Sequence, residues 1–556
     1  MKISFFDEND HLMYERELAE RTDVDFNHLP VGQDDLNKAG KKITFRFSVP
    51  ILDMHGCWAS QKQDYRPCMK LRWGYEMRAS QQSDIPYIAF FKMNQDNAVS
   101  IALTNVIDDS VFFAQMDQMR CAYACTVTVG IVAETKPFEI LVSFSNKRWD
   151  LLLETWRNLI LPEGKPQFPD AAFEPVYCTW YAAHAALTNE YLDRNAKMAA
   201  ELGFRTFIVD DGWSYPEMKR VCPEKLREGW YRDIGNWTVS EEKLPDFKKH
   251  IEYAQSLGLK YLLWTAPFFA GICSKEYQLA NADRENEIIR HDWSDVAFVN
   301  PSGKTAANAL KLLVNLMKDL NLDGLKLDFL DYVKCDPDDP KGYACRKYFQ
   351  SLIGALREIK PDALFEFRQN YAIPQMLEFG TQFRAGDVPF DFIDNAHRLA
   401  NIRITLGDKV PCHADPIYFH PSEKPENVAR HMIAALAGVP MLSMELGDLT
   451  PEQNSVIRFW LKFYKEHLET FKNGHWNVVH HLDALSHFTV ENENEVIAII
   501  VDPAILPEIA AEYENRPFYA LNLSGKTLSL ANANAYSCEG IPTGNENAPA
   551  GGYLVR

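Results

Sequence analysis

The chain contains no apolar run of the ~18–20 residues that a membrane helix needs, and no Cys-x-x-Cys pair. No Gly-x-Gly-x-x-Gly loop follows the first strand of its α/β region, which argues against a dinucleotide fold. Positive charge is in short supply: 58 Lys and Arg face 77 Asp and Glu, a formal charge of −19. Nucleic-acid phosphates would be repelled by that balance, and an anionic membrane surface is disfavoured. The eleven cysteines form no repeating framework, so they read as free thiols of a reducing compartment, without a structural zinc site. The opening, Met1 to Asp10, turns acidic before a signal-peptide apolar segment forms, and a cytoplasmic protein is expected.

A length of 556 residues exceeds one ordinary core, so several domains are expected. Residues 1–165 carry short β-branched runs such as Lys42 to Val49 and Cys125 to Val132, which predict an N-terminal β-sandwich. A helical span, Trp149 to Leu159, leads to the connector Leu161-Pro162-Glu163-Gly164-Lys165-Pro166, where a boundary is expected. Between 170 and 472 apolar strands alternate with helices. The strands read as 175–181, 205–210, 260–266, 324–329, 363–368, 382–386, 409–413 and 440–444. Helices are expected at 190–202, 246–257, 304–320, 342–358 and 425–437, among others. Eight such strands predict a (β/α)8 TIM barrel. Strand-like runs return in 475–556 as a small C-terminal β-domain, read as a second β-sandwich. The flanking domains also offer surface on which a homo-oligomer could form.

In a parallel barrel, chemistry sits at the carboxyl ends of the strands. The segment Leu322-Asp323-Gly324-Leu325-Lys326-Leu327-Asp328-Phe329 puts Lys326 and Asp328 on one face of the fourth strand at that end. Other strand ends supply Trp180 and Tyr181, Asp210-Asp211-Gly212-Trp213, Trp264, Arg368 and Arg384-Ala385-Gly386-Asp387. Acids, bases and aromatic faces converging on one mouth suit a sugar, whose hydroxyls take the polar groups and whose C–H face packs on rings. Taken singly, each has a bland reading. Lys326 with Asp328 is a structural ion pair, Asp210 and Asp211 open a turn at Gly212, and Trp180 and Trp264 are core residues.

Together, Trp180-Tyr181, Val209-Asp210-Asp211-Gly212-Trp213 and Leu325-Lys326-Leu327-Asp328-Phe329 resemble clan D of the glycoside hydrolases, above all family 36 with its α-galactosidases and raffinose-synthase-like proteins. The resemblance extends through Phe298-Val299-Asn300-Pro301, Arg384 to Asp387, Cys412 to Pro416 and Phe463 to His467, covering the whole barrel. It implies a retaining α-glycosidase acting on oligosaccharides or glycosides with terminal α-galactose, needing no metal or organic cofactor. Asp328 is implied as the nucleophile and Asp387 as the general acid/base, ionised and protonated respectively at the outset. Asp210, Asp211 and Lys326 are implied to hold sugar hydroxyls, with Trp180, Trp264 and Arg368 shaping the pocket. Trp213, Asp391 and Arg398 join the expected substrate-binding set.

Alternatives remain open at this level. Where many members of that family carry a Cys- and Gly-rich loop after the fifth strand, this chain reads Phe367-Arg368-Gln369-Asn370-Tyr371, so another glycone is an alternative. Asp391, by its spacing to Arg398, competes with Asp387 for the acid/base role. Transglycosylation and a non-catalytic carbohydrate-binding barrel are further readings.

Overall fold

The computed structural model describes residues 1–60, 70–161, 167–215, 231–282, 295–333, 341–388, 390–481 and 484–556. The expected connector at 162–166 lies outside them. The N-terminal region forms two antiparallel sheets. One holds six strands, ordered Leu12–Glu17, Lys2–Phe6, Lys42–Pro50, Ala122–Gly130, Ser110–Asp117 and Gly74–Ala79. The other holds five, ordered Asn27–Val31, Phe138–Ser143, Asn97–Leu103, Tyr87–Phe91 and Gly56–Ala59. Phe5, Phe45 and Val127 of the first meet Ile88, Phe90 and Ile140 of the second in one shared core. The strand Tyr87–Phe91 is apolar at every position because both its faces are covered. Ile88 and Phe90 face the first sheet, while Tyr87, Ala89 and Phe91 turn towards the barrel.

Eight parallel strands follow in chain order around the barrel: Val176–Cys178, Thr206–Val209, Lys260–Thr265, Gly324–Leu327, Leu364–Arg368, Gln382–Arg384, Cys412–His413 and Met441–Leu442. The last two are shorter than the sequence pattern predicts. Closure comes from isolated parallel bridges, His413 to Val439 and Ile417 to Leu442. Helices Asn189–Leu202, Phe247–Ser256, Lys304–Asp319, Lys341–Ile359, Phe392–Leu406, Pro425–Ala435 and Pro451–Glu466 pack outside. Gly324 opens the fourth strand because a Cβ there would stand 1.9 Å from the Leu364 carbonyl oxygen.

The C-terminal sheet orders His475–His481, Ala484–Glu491, Val496–Ile500, Phe518–Asn522, Tyr553–Val555 and Asn534–Tyr536. One face, with Phe488, Ile497, Ile499 and Leu521, joins the large barrel core. The other is covered by helix Leu506–Glu512 and the two-stranded ribbon of Leu528–Ser529 with Asn547–Ala548, in place of a second full sheet. Among the described residues no helix is long and apolar enough to cross a membrane.

Candidate active site

The fourth barrel strand delivers Asp328 one residue past its last ladder position. The Asp328 amide still donates to the Thr265 carbonyl at 2.8 Å, and Phe329 then turns into the left-handed region at φ 54°. A bulky residue adopts that conformation rarely, and here the turn aims the carboxylate into the mouth. Asp328 Oδ2 accepts from the Trp264 indole N–H at 3.0 Å, and Oδ1 accepts from the Phe329 amide at 2.9 Å and from Arg368 at 3.4 Å. Burial alone works against its charge. Arg368, then Lys326 and Arg384, and the Trp264 donor outweigh it and hold the carboxyl below its ordinary range.

Arg368, at the end of the fifth strand, is the hinge of the site. The same guanidinium reaches Asp328 and, through Nη2 at 2.7 Å, Asp387 Oδ2. Asp387 stands on the loop after the sixth strand, its side chain 42% exposed, and takes a second guanidinium, that of Arg384, at 3.1 Å. The crowded mouth opposes its charge, yet Arg368, Arg384 and Lys326 pull the carboxyl far below the usual range. This corrects the expectation that Asp387 starts out protonated: two arginines on one carboxylate favour the anion. Arg384 also grips Asp415, which accepts further from the Tyr181 hydroxyl at 3.0 Å and the Val388 amide at 2.6 Å. Burial, reinforced by the Asp387 charge and resisted by Arg384, pushes Asp415 up to about 7.

Lys326 does not pair with Asp328. Its ammonium meets Asp210 Oδ2 at 2.5 Å, where the Cys178 thiol also donates at 3.3 Å. Desolvation lowers the lysine's proton affinity, but Asp210 more than restores it and keeps the ammonium charged. Asp211 accepts from the Tyr215 hydroxyl at 3.2 Å, and both aspartates are buried. Trp180 is half-buried with its ring 4.6 Å from that of His184. Trp213 is fully buried and donates to the Trp264 carbonyl at 2.9 Å, so it supports the site from behind. Asp391 caps helix Phe392–Leu406, accepting from the Ile393 and Asp394 amides, and Arg398 pairs with Asp394 at 3.0 Å one turn on. Those two expected substrate ligands therefore hold a helix start. Among the described residues no group of three or more His, Cys, Asp or Glu is arranged to hold a metal ion.

A family model described as Melibiase matches residues 136–289, which include Trp180, Asp210 and Asp211 and end before Asp328. The α-galactosidase of Escherichia coli is 26% identical over 222 residues, 36% of this chain and 28% of that protein. Alpha-galactosidase 1 of Pediococcus pentosaceus is 25% identical over 353 residues, 59% of this chain and 46% of that protein. The chain is related to the melibiases. It spans less than half the length of the two curated relatives. A variant of the family GH36 α-galactosidase AgaA from Geobacillus stearothermophilus, solved in complex with raffinose, shares its fold with a TM-score of 0.62 at 14% identity, covering 88% of this chain and 79% of that one.

In this melibiase relative the sequence motifs that contain Arg384 and Asp415 do not single either out as a site residue, although both stand in the site. The signal that finds them is position at the ends of the sixth and seventh strands, Gln382–Arg384 and Cys412–His413. The helix start at Asp391 was equally legible, since Asp391, Asp394 and Arg398 carry the N-cap and i,i+4 pattern of a first turn.

Proposed function

We propose that the chain is a retaining α-glycosidase acting on terminal α-galactosides. In this reading residues 170–472 form the catalytic domain, flanked by domains at 1–165 and 475–556. The observation that carries it is one guanidinium, Arg368, in contact with both Asp328 and Asp387 at the strand ends. Two carboxylates that share an arginine face one opening, as a nucleophile and an acid/base flanking one glycosidic bond must; the retaining outcome follows the family resemblance. Asp328, held ionised, attacks the anomeric carbon and forms a glycosyl ester. Asp387 gives its proton to the leaving oxygen, then takes one from the water that hydrolyses the ester. Asp210, Asp211 and Lys326 hold the ring hydroxyls.

In this reading an anomeric carbon placed between the two aspartates displaces Arg368, which contacts both in the free site. Its withdrawal removes the strongest pull on the Asp387 anion, so substrate entry itself raises the proton affinity of the acid. Asp387 is preferred to Asp391 because Asp391 spends one of its oxygens on two helix amides. A second reading, a different α-linked glycone, is favoured by Arg368 standing where a Cys- and Gly-rich loop is expected by resemblance.

A panel of nitrophenyl α-glycosides tests both readings, with the galactoside expected to be turned over fastest. Asp328→Asn is expected to lose activity by about a thousandfold or more while its circular dichroism stays that of the wild type. Turnover retained in that variant would remove Asp328 from the nucleophile role.

A further inference from the structure

The seventh strand contributes an acid to which the proposed chemistry gives no part. Asp415 follows Cys412–His413 and is fully buried, yet its carboxylate meets the Asp387 loop at two points. Oδ1 accepts from Arg384 Nη1, the same nitrogen that donates to Asp387 Oδ1 at 3.1 Å. Oδ2 accepts from the amide of Val388, the residue next to Asp387, at 2.6 Å. Carboxylate oxygens that share one donor nitrogen stand no more than about 6 Å apart. Asp415 is itself held in place. Its amide donates to the Asn395 side chain at 3.1 Å and its carbonyl accepts from that side chain at 3.0 Å, which ties it to helix Phe392–Leu406.

Two carboxylates this close resist being charged together, and their protons belong to the pair and not to either residue. The surrounding groups decide where a single shared proton rests. Asp387 faces Arg368 and Arg384 directly, with Lys326 farther back, and all three favour its anion. Asp415 faces the shared Arg384, the Tyr181 hydroxyl at 3.0 Å and the Val388 amide. Glu366, 3.9 Å from Arg384 Nε, draws part of that guanidinium's charge to another acid. Burial, joined by the Asp387 charge and opposed by Arg384, raises Asp415 to about 7, while Asp387 lies far below the usual carboxylate range. A tyrosine hydroxyl accepts as well as donates, so Tyr181 serves either state of Asp415.

Resting on the function proposed above, we infer that Asp387 and Asp415 hold one proton between them, kept on Asp415 in the free protein and passed to Asp387 when a glycoside displaces Arg368. The O–H bond of Asp415 breaks and that of Asp387 forms. The pair carries a single negative charge throughout, so no proton is drawn from solvent. Asp387 then gives this proton to the leaving oxygen, and Asp415 remains as the anion on Arg384. Asp415 is thus a positioning residue that acts through Asp387, and it supplies what an acid flanked by two arginines lacks.

Asp415→Asn removes the held proton and keeps the shape. On an unactivated α-galactoside such as raffinose, the alkaline limb of kcat/KM is expected to move down by about one pH unit or more. Towards low pH, where Asp387 takes its proton from solvent, the variant and the wild type should converge. A loss equal at every pH, or an unmoved limb, would make Asp415 a mere counter-ion of Arg384 and overturn the inference. A second measurement needs no turnover and carries the test if Asp415→Asn does not fold. Infrared absorption of protonated carboxyl groups, followed with pH, is expected to lose one component in the wild type with a midpoint of about 7. In Asp387→Asn, which relieves the repulsion, that midpoint should fall by about one unit or more. No such component, or a midpoint that Asp387→Asn leaves in place, overturns the pair. Should the wild type turn over no α-galactoside, the proposed activity falls on its own, and the infrared titration alone decides whether the two acids share a proton.

Discussion

Arg368 sets the protonation of the site before any substrate arrives. It donates to both carboxylates, and of the charges acting on each it pulls hardest. An aspartate freed from a neighbouring arginine recovers ~1–3 pK units. In Arg368→Met, Asp387 therefore keeps its proton to higher pH. The alkaline limb of kcat/KM on an aryl α-galactoside is expected to move up by about that much. Asp328 retains Lys326 and Arg384, so the acid limb should move less. An unmoved alkaline limb would assign the proton donor elsewhere. Asp387→Ala separates the same roles by leaving group. A nitrophenolate departs without help, so an unactivated galactoside is expected to slow by about a hundredfold or more relative to the nitrophenyl substrate. Equal losses on the two would deny Asp387 its part as acid.

The fourth strand was the most legible element, because its alternation of apolar and charged residues has one reading at a barrel strand. Its lower end is built as firmly as its upper. Asp323 Oδ2 accepts from the Tyr261 amide and from Gln255, both at 2.9 Å, and Oδ1 from Lys360 at 3.1 Å, tying two strands and two helices together. Burial opposes its charge, but these donors hold the carboxyl below its ordinary value. A carboxyl lowered on folding adds stability above its unfolded pKa, and that stability is lost as pH falls through the folded value. Asp323→Asn should thus cost about 2 kcal/mol near neutrality, with the difference from wild type shrinking below roughly pH 4. Urea unfolding across that range measures it; a difference independent of pH would show that packing, and not the charge, is what Asp323 supplies. The final two barrel strands were harder to bound from sequence, because two ladder residues each leave no periodicity to read.

At the scale of the whole molecule, the five-stranded sheet is a layer between two cores. Trp156, on helix Trp149–Ile160, is fully buried among Tyr87 and the barrel-side residues and donates to the Leu103 carbonyl at 2.8 Å. Gln375, after the fifth barrel strand, reaches the Ser80 carbonyl at 2.9 Å. Contacts of this kind are expected to make the N-terminal region and the barrel unfold as one cooperative body. Trp156→Ala is expected to cost ~3–5 kcal/mol and to lower the unfolding midpoint of both together. Two separated transitions, followed by far-ultraviolet dichroism and tryptophan fluorescence, would show the layers to be independent.

What the amino-acid order determined by itself was local: the alternating barrel, the strand ends where Asp328, Lys326 and Asp210 stand, and the apolar strands on either side. These are set by periodicities of two and 3.6 residues, which a linear sequence displays directly. Only the tertiary structure decided that Lys326 pairs with Asp210 and that one arginine spans Asp328 and Asp387. Such pairings join residues from different strands, and electrostatic partners depend on distance in space, which no spacing along the chain encodes.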